Sequence, residues 1–378
     1  MAFVPHAPEH ASFLCDIEEV LARIDRIDPR AYDRTRNRLD GATTWLGPFL
    51  THGISDTREV AERVLRPAGA SAPREVESCS RLLFELGWRE FFHRTWQLEG
   101  EAVFDDLHRA QEGVAGTDPP RAVLDATTGI EVVDGTIAHL LAHGTMHNHA
   151  RLWTAAIACN LGRTWWKEPA RWLHHHLLDG DLASNTLSWQ WVVGTFGTKR
   201  YVANQDNVDR FSGTRQGGTW LDVPYEAFDD FPIPPALSER AAPELPCPLR
   251  GRPIETLEPL EGRVALRSIW HLDPRWEPDA EHRIVFVDTD HLREWPLSDK
   301  RWAFVEHWAG SCGADIVHGS VEGLRRATAG ASVVRREYPA CVDWPGEVQA
   351  RPWLYPMPDG EFPSFSRYWK QVRGSVGL

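Results

Sequence analysis

The chain has 378 residues, 42% of them apolar and 25% charged, the proportions of a globular protein long enough for two domains with separate cores. Its formal charge is −13, and residues 1–235 alone hold 23 basic against 33 acidic side chains, which counts against a protein held to duplex DNA by a broad basic surface. Six scattered cysteines without a CxxC pair support neither a zinc site nor an iron–sulfur cluster, and no leader-like start or membrane-length apolar run is present, so a cytoplasmic protein with free thiols and no membrane partner is expected.

In chain order, residues 12–29 place Phe13, Leu14, Ile17, Val20, Leu21 and Ile24 at helical spacing. Tyr32 and Arg36 follow, and then Gly41-Ala42-Thr43-Thr44-Trp45-Leu46-Gly47-Pro48, where paired hydroxyls before a helix could bind a phosphate or merely cap the helix. Residues 75–96 form a strong helix on which Glu85, Trp88 and Arg89 share a face, either as a surface ion pair over a core indole or as a pocket wall. Breakers mark 100–120 as a loop, and helical periodicity resumes over 130–143 and again through Met146 to Leu161. His143 and His147 have a possible metal-ligand spacing, but no third ligand follows and no metal is expected; the His174-His175-His176 run reads as structural or surface.

Asp179-Gly180-Asp181 opens the next helix, with Gly180 free to adopt backbone angles other residues resist and the carboxylates able to cap. Asn185 and Trp189 lie four apart on it, a face that suits a flat heteroaromatic cofactor and equally an ordinary helix with a core indole. Eight prolines between 232 and 259 suggest a stiff linker over 236–262. Beyond it, strands at 283–288, 314–318 and 332–336 alternate with helices at 298–310 and 321–329, the pattern of a small parallel α/β unit over 263–378.

From about residue 30 to 235 the chain resembles the FAD-binding helical domain of DNA photolyases and cryptochromes. Four ordered blocks carry the likeness: Tyr32 to Leu50, Glu85-Leu86-Gly87-Trp88-Arg89-Glu90-Phe91-Phe92, Thr128 to Asn148, and Asp179 to Trp191. The resemblance implies a mainly α fold, an all-helical FAD-binding domain over 1–235 followed by the small α/β domain, the latter a permuted and shortened relative of the antenna domain that usually comes first in this family. An antenna pigment is doubtful on this reading.

The resemblance also implies roles. Tyr32, Thr43, Thr44 and Leu46 would hold the cofactor's diphosphate with Arg89 approaching it, and the Arg151–Asp179 ion pair, Asp181, Asn148 and Asn185 would surround the flavin ring, Asn185 facing N5. Trp189 and Trp166 would relay electrons. Arg36, Glu85, Trp88, Leu152 and Trp191 would receive a flipped cyclobutane pyrimidine dimer. His149, Leu152 and Trp45 replace the family's usual DNA contacts, which with the acidic balance favours damaged single-stranded or unstacked DNA. The implied function is FAD-dependent, light-driven dimer repair. The alternatives are a cryptochrome-like blue-light receptor acting on a signalling partner and a flavin-free helical scaffold.

Overall fold

The computed structural model describes residues 3–66 and 73–374. A largely α-helical N-terminal region leads into a C-terminal parallel sheet. Of the helix expected over 12–29 only Ile17–Asp25 is α-helical, after a 3-10 turn at His10–Phe13, and a separate helix, Pro29–Thr35, follows because Asp28 caps a new start with Pro29 in the first turn. The helix around Glu85 is longer than its periodic core and spans Pro73–Glu99. Glu131–His143 ends at Gly144 in the left-handed conformation, and His147 caps Asn148–Ala155, which runs on into a π-helical turn over Ala156–Leu161.

Among the described residues six strands form one all-parallel sheet: β1 Arg252–Pro253, β2 Arg263–Arg267, β3 His282–Asp288, β4 Asp315–Gly319, β5 Ser332–Arg336 and β6 Glu347–Gln349, in the order β1-β4-β3-β2-β5-β6. The expected strands are β3, β4 and β5; β1, β2 and β6 come in addition. β1 lies within the proline-rich stretch and occupies the sheet edge, where Pro253 costs no ladder bond on its open side.

The two units share a core. One buried apolar cluster runs from Phe13 and Phe49 through Leu83 and Phe91 to Val264, Trp308 and Tyr368, and Phe49 meets Trp308 edge-on at 6.0 Å. A second cluster, Leu39 to Leu237, fills the rest of the helical region and contains Trp153, Trp166 and Trp189.

Polar contacts fix the junction between the units. His174 and His175 are buried in it rather than on the surface. Fully buried Arg301, on the helix Asp299–Ser311, donates to the carbonyls of His174 at 3.1 Å and Gly180 at 2.6 Å. This contact explains Gly180 differently from the sequence expectation. Its φ is not positive, and the glycine serves close approach instead: a Cβ there would lie 2.5 Å from Arg301 Nη1 and 2.6 Å from His174 O. The α/β unit thereby clamps the turn that carries Asp179 and Asp181.

Candidate functional site

A concavity of about 410 Å³ opens between the Pro29–Thr35, Pro73–Glu99, Asn148–Ala155 and Leu182–Val193 helices. That is a size suited to a small-molecule or cofactor site. Of the expected residues, Tyr32, Thr43, Arg89 and Asn148 line it, and so do Arg36, Glu85, Trp88, Leu152 and Trp191. His149 lines it too, and Asn37, Phe92, His147, Ser184 and Ser188, which were not expected to, line it as well. Ser184, Ser188 and Trp191 stand at i, i+4 and i+7 on one helix, a stripe that the sequence does contain.

Thr44, Leu46, Arg151, Asp179, Asp181 and Asn185 are not on the lining. Several stand one contact behind it. Arg151 Nη2 donates to both oxygens of Asp179 at 2.8 Å, and Asp179 packs so closely on Gly47 that a Cβ there would lie 2.3 Å from Oδ2. Asp181 accepts from the Ser184 amide at 2.8 Å, which caps the helix, and from Arg89 at 3.3 Å and His93 at 2.9 Å. Arg89 is thus anchored to a carboxylate rather than left free for a phosphate. Asn185 is buried and its Nδ2 donates to Ala170 O at 3.0 Å, which leaves Oδ1 as its open acceptor. Trp189 and Trp166 are buried in the second core cluster, and both Trp166 and Trp165 donate their indole N–H to Asp106, at 2.7 and 3.1 Å.

The electrostatics separate an anchored side from an adaptable one. Burial pushes the Asp181 carboxyl upward, but the charge of Arg89 and the hydrogen bond donated by His93 hold it well below the usual carboxylate range. His93 stays neutral because it is buried; it donates from Nε2 to Asp181 and accepts from Arg351 at Nδ1, 2.8 Å away. Glu85 lies on the adaptable side. Burial raises its pKa against the opposing charge of Arg36, 3.3 Å away. Burial first, then His149, lowers His147 to about 4, and burial with Arg36 does the same for His149, so both rings facing the cavity are neutral at pH 7. Trp88 stacks on Phe365 of the C-terminal helix Phe365–Val372 at 3.9 Å and meets Phe92 at 5.3 Å, and it still reaches the cavity lining.

Two hydroxyls on the lining, Thr43 Oγ1 and Ser184 Oγ, are buried without a protein partner. Such groups cost free energy unless something bonds them, and a cofactor rich in phosphate and carbonyl oxygens fits them. Among the described residues no cluster of three or more His, Cys, Asp or Glu could hold a metal, and no helix is long and apolar enough to cross a membrane.

Residues 82–215 match the family described as the FAD binding domain of DNA photolyase. A deoxyribodipyrimidine photo-lyase of Streptomyces griseus is 32% identical over 155 residues, covering 41% of this chain and 32% of that protein. A chloroplastic/mitochondrial cryptochrome DASH of Ostreococcus tauri is 31% identical over 214 residues, covering 54% of this chain and 36% of the relative. A cryptochrome from Synechocystis aligns in structure over 52% of this chain and 43% of its own, at 24% identity and a TM-score of 0.45. The chain thus spans about a third of the length of both of these curated relatives.

Proposed function

We propose, from the match of residues 82–215 to the FAD binding domain of DNA photolyase, that the protein is of the photolyase/cryptochrome kind, binds FAD in the cavity beside Thr43 and Ser184 and uses light to split cyclobutane pyrimidine dimers. The observation that carries the reading is a single cavity that brings proposed cofactor residues (Tyr32, Thr43, Arg89, Asn148) together with proposed lesion residues (Arg36, Glu85, Trp88, Leu152, Trp191). Bound there, reduced FAD supplies light-driven donation of one electron.

The chain's own residues do the positioning. Thr43 and Ser184 satisfy their orphan hydroxyls on cofactor oxygens, and Tyr32 supplies a further hydroxyl whose burial holds it protonated. The Arg151–Asp179 pair fixes the turn below, and Asn185 offers Oδ1 while its amide nitrogen stays committed to Ala170. On the substrate side Trp88 and half-exposed Trp191 provide indole faces for extruded bases, and Glu85 provides a carboxyl group for a pyrimidine edge. Trp189 and Trp166 are the proposed route by which electrons reach the cofactor.

A substrate already unstacked suits this acidic chain, because extrusion from duplex DNA costs a few kcal/mol. The test is illumination of the FAD-loaded protein with dimer-containing single strands and duplexes. The expected result is dimer loss, faster on single strands. Glu85→Gln is expected to weaken binding of a dimer-containing single strand about tenfold while FAD content stays unchanged. FAD-loaded protein that leaves dimers intact on both substrates would replace repair with light reception.

A further inference from the structure

Beyond Arg89 lies a second cavity, about 110 Å³, between the helical region and the sheet. The sheet order explains why an opening exists there. The chain steps from β2 to β3 to β4 on one side, then returns to place β5 on the other side of β2. The carboxyl ends of β2 and β5 therefore flank a topological switch point, where open parallel sheets leave a crevice. Trp270 and His271 follow β2, Arg336 ends β5, Tyr338 follows it, and Arg89 and His93 close the space from the long helix.

Four of these residues carry a buried polar atom with no protein partner: Trp270 Nε1, Tyr338 Oη, His271 Nδ1 and Arg336 Nε. Trp270 is 7% exposed and Tyr338 8%. The indole and the guanidinium Nε–H can only donate, and the phenol can donate. A buried donor left unsatisfied is costly, so several around one cavity point to a ligand that supplies acceptors.

The remaining groups narrow the ligand. Trp270 and Tyr338 stack on each other at 4.5 Å and 6°, His291 lies nearly perpendicular to Trp270, and Arg351 lies over the Tyr338 ring, so the faces these two rings turn to each other are closed to a planar guest. The carboxylates on the lining are engaged: Glu337 by Arg351, Asp273 by Arg275, Glu90 by Thr57 and the amides of Leu354 and Tyr355, and Asp56 as the cap on Glu59. What remains available is a set of donors in a space a few water molecules wide.

The geometry points to a binding site for a small oxyanion of phosphate size in this cavity. The site communicates with the larger cavity through Arg89, which lines both and donates to Asp181 between them. An anion that draws Arg89 toward the switch point changes the anchor behind the proposed flavin pocket, and by linkage FAD changes anion affinity by the same factor. The coupling rests on the flavin reading; the anion site does not.

The test is calorimetric titration of inorganic phosphate into the full-length protein at constant ionic strength, with and without saturating FAD. The expected result is one saturable site that persists in the FAD-saturated protein and is at least fivefold weaker in both Tyr338→Phe and Arg336→Gln, with thermal midpoints confirming that the variants fold. Thr43→Val, on the other cavity, is expected to leave this site in place. Absence of saturable binding, or binding that both variants leave unchanged, or binding that Thr43→Val or saturating FAD abolishes, would overturn the assignment. A protein that takes up no FAD yet binds phosphate with Tyr338 and Arg336 dependence would sink the flavin reading and leave the anion site standing.

Discussion

Asp181→Ala is expected to destabilise the protein by about 3–5 kcal/mol, the cost of leaving a buried cation without its partner. The Asp181 side chain is 1% exposed and holds three donors at once: Arg89, His93 and the Ser184 amide. Removing it strands Arg89, among the described residues, with Thr51 at 3.3 Å and also deletes the cap of the Leu182–Val193 helix, worth about 1 kcal/mol by itself. Asp181→Asn keeps an acceptor at the cap and loses the charge, so its loss should fall between wild type and Asp181→Ala. Urea unfolding of the three proteins decides the matter. Equal midpoints for Asp181→Ala and wild type would show that Arg89 finds another partner and that the anchor behind the cavity is dispensable. Because this residue joins the long helix to the turn clamped by Arg301, the Ala variant is also expected to lose FAD affinity.

Stability is expected to fall as the pH drops from about 6.5 toward 4, the second large effect. Burial lowers His52 to about 3 and His147, His149, His175 and His291 to about 4, whereas an unfolded histidine titrates near 6.5. Between those values the unfolded chain binds more protons than the folded one, so acid favours unfolding. Asp181 adds to this at the lower end, since a depressed carboxylate gives stability above its unfolded value that is lost as the pH falls. Asp56, raised to about 6 by burial, works the other way: its folded form holds the proton more tightly, which offsets part of the loss between about 6 and 4. Five histidines outweigh one carboxyl. Thermal midpoints measured from pH 7.5 down to 5 should therefore decline, and a flat or rising profile would mean that these rings reach solvent in the folded protein.

Several helices and the strands β3, β4 and β5 were legible because each carries its own local signal. Glu131–His143 ends at Gly144, Leu182–Val193 begins at the Asp181 cap, and β3 holds a continuous apolar run. β1 and β6 have two and three residues and owe their state to pairing with β4 and β5 rather than to propensity. β2 hides Val264-Ala265-Leu266 between arginines, and Arg267 is fully buried, its guanidinium donating to the Asp273 and Trp276 carbonyls. A buried arginine reads as surface in any sequence pattern. The shared core was illegible for the same reason: Phe49 and Trp308 are 259 positions apart, and nothing local says that they touch.

The cavity shows the same division. Residues placed there by ordered motifs, such as Glu85, Trp88 and Asn148, do converge on it, while Phe92 and Ser188 become visible only when neighbouring helices define an inside. Phe365 illustrates what motif reading does not supply. It lies far from every cofactor block, yet it backs the Trp88 indole and so takes part in shaping the wall against which a base would stack.

The measurement that tests the central claim most directly is the flavin content of the purified full-length protein, read from its visible spectrum and from the cofactor released on denaturation, before and after incubation with added FAD. One FAD per chain is the predicted result, with loss of that FAD in a Thr43→Val, Ser184→Ala double variant that still folds. A chain that folds and takes up no flavin, even when FAD is supplied in excess, would contradict the account.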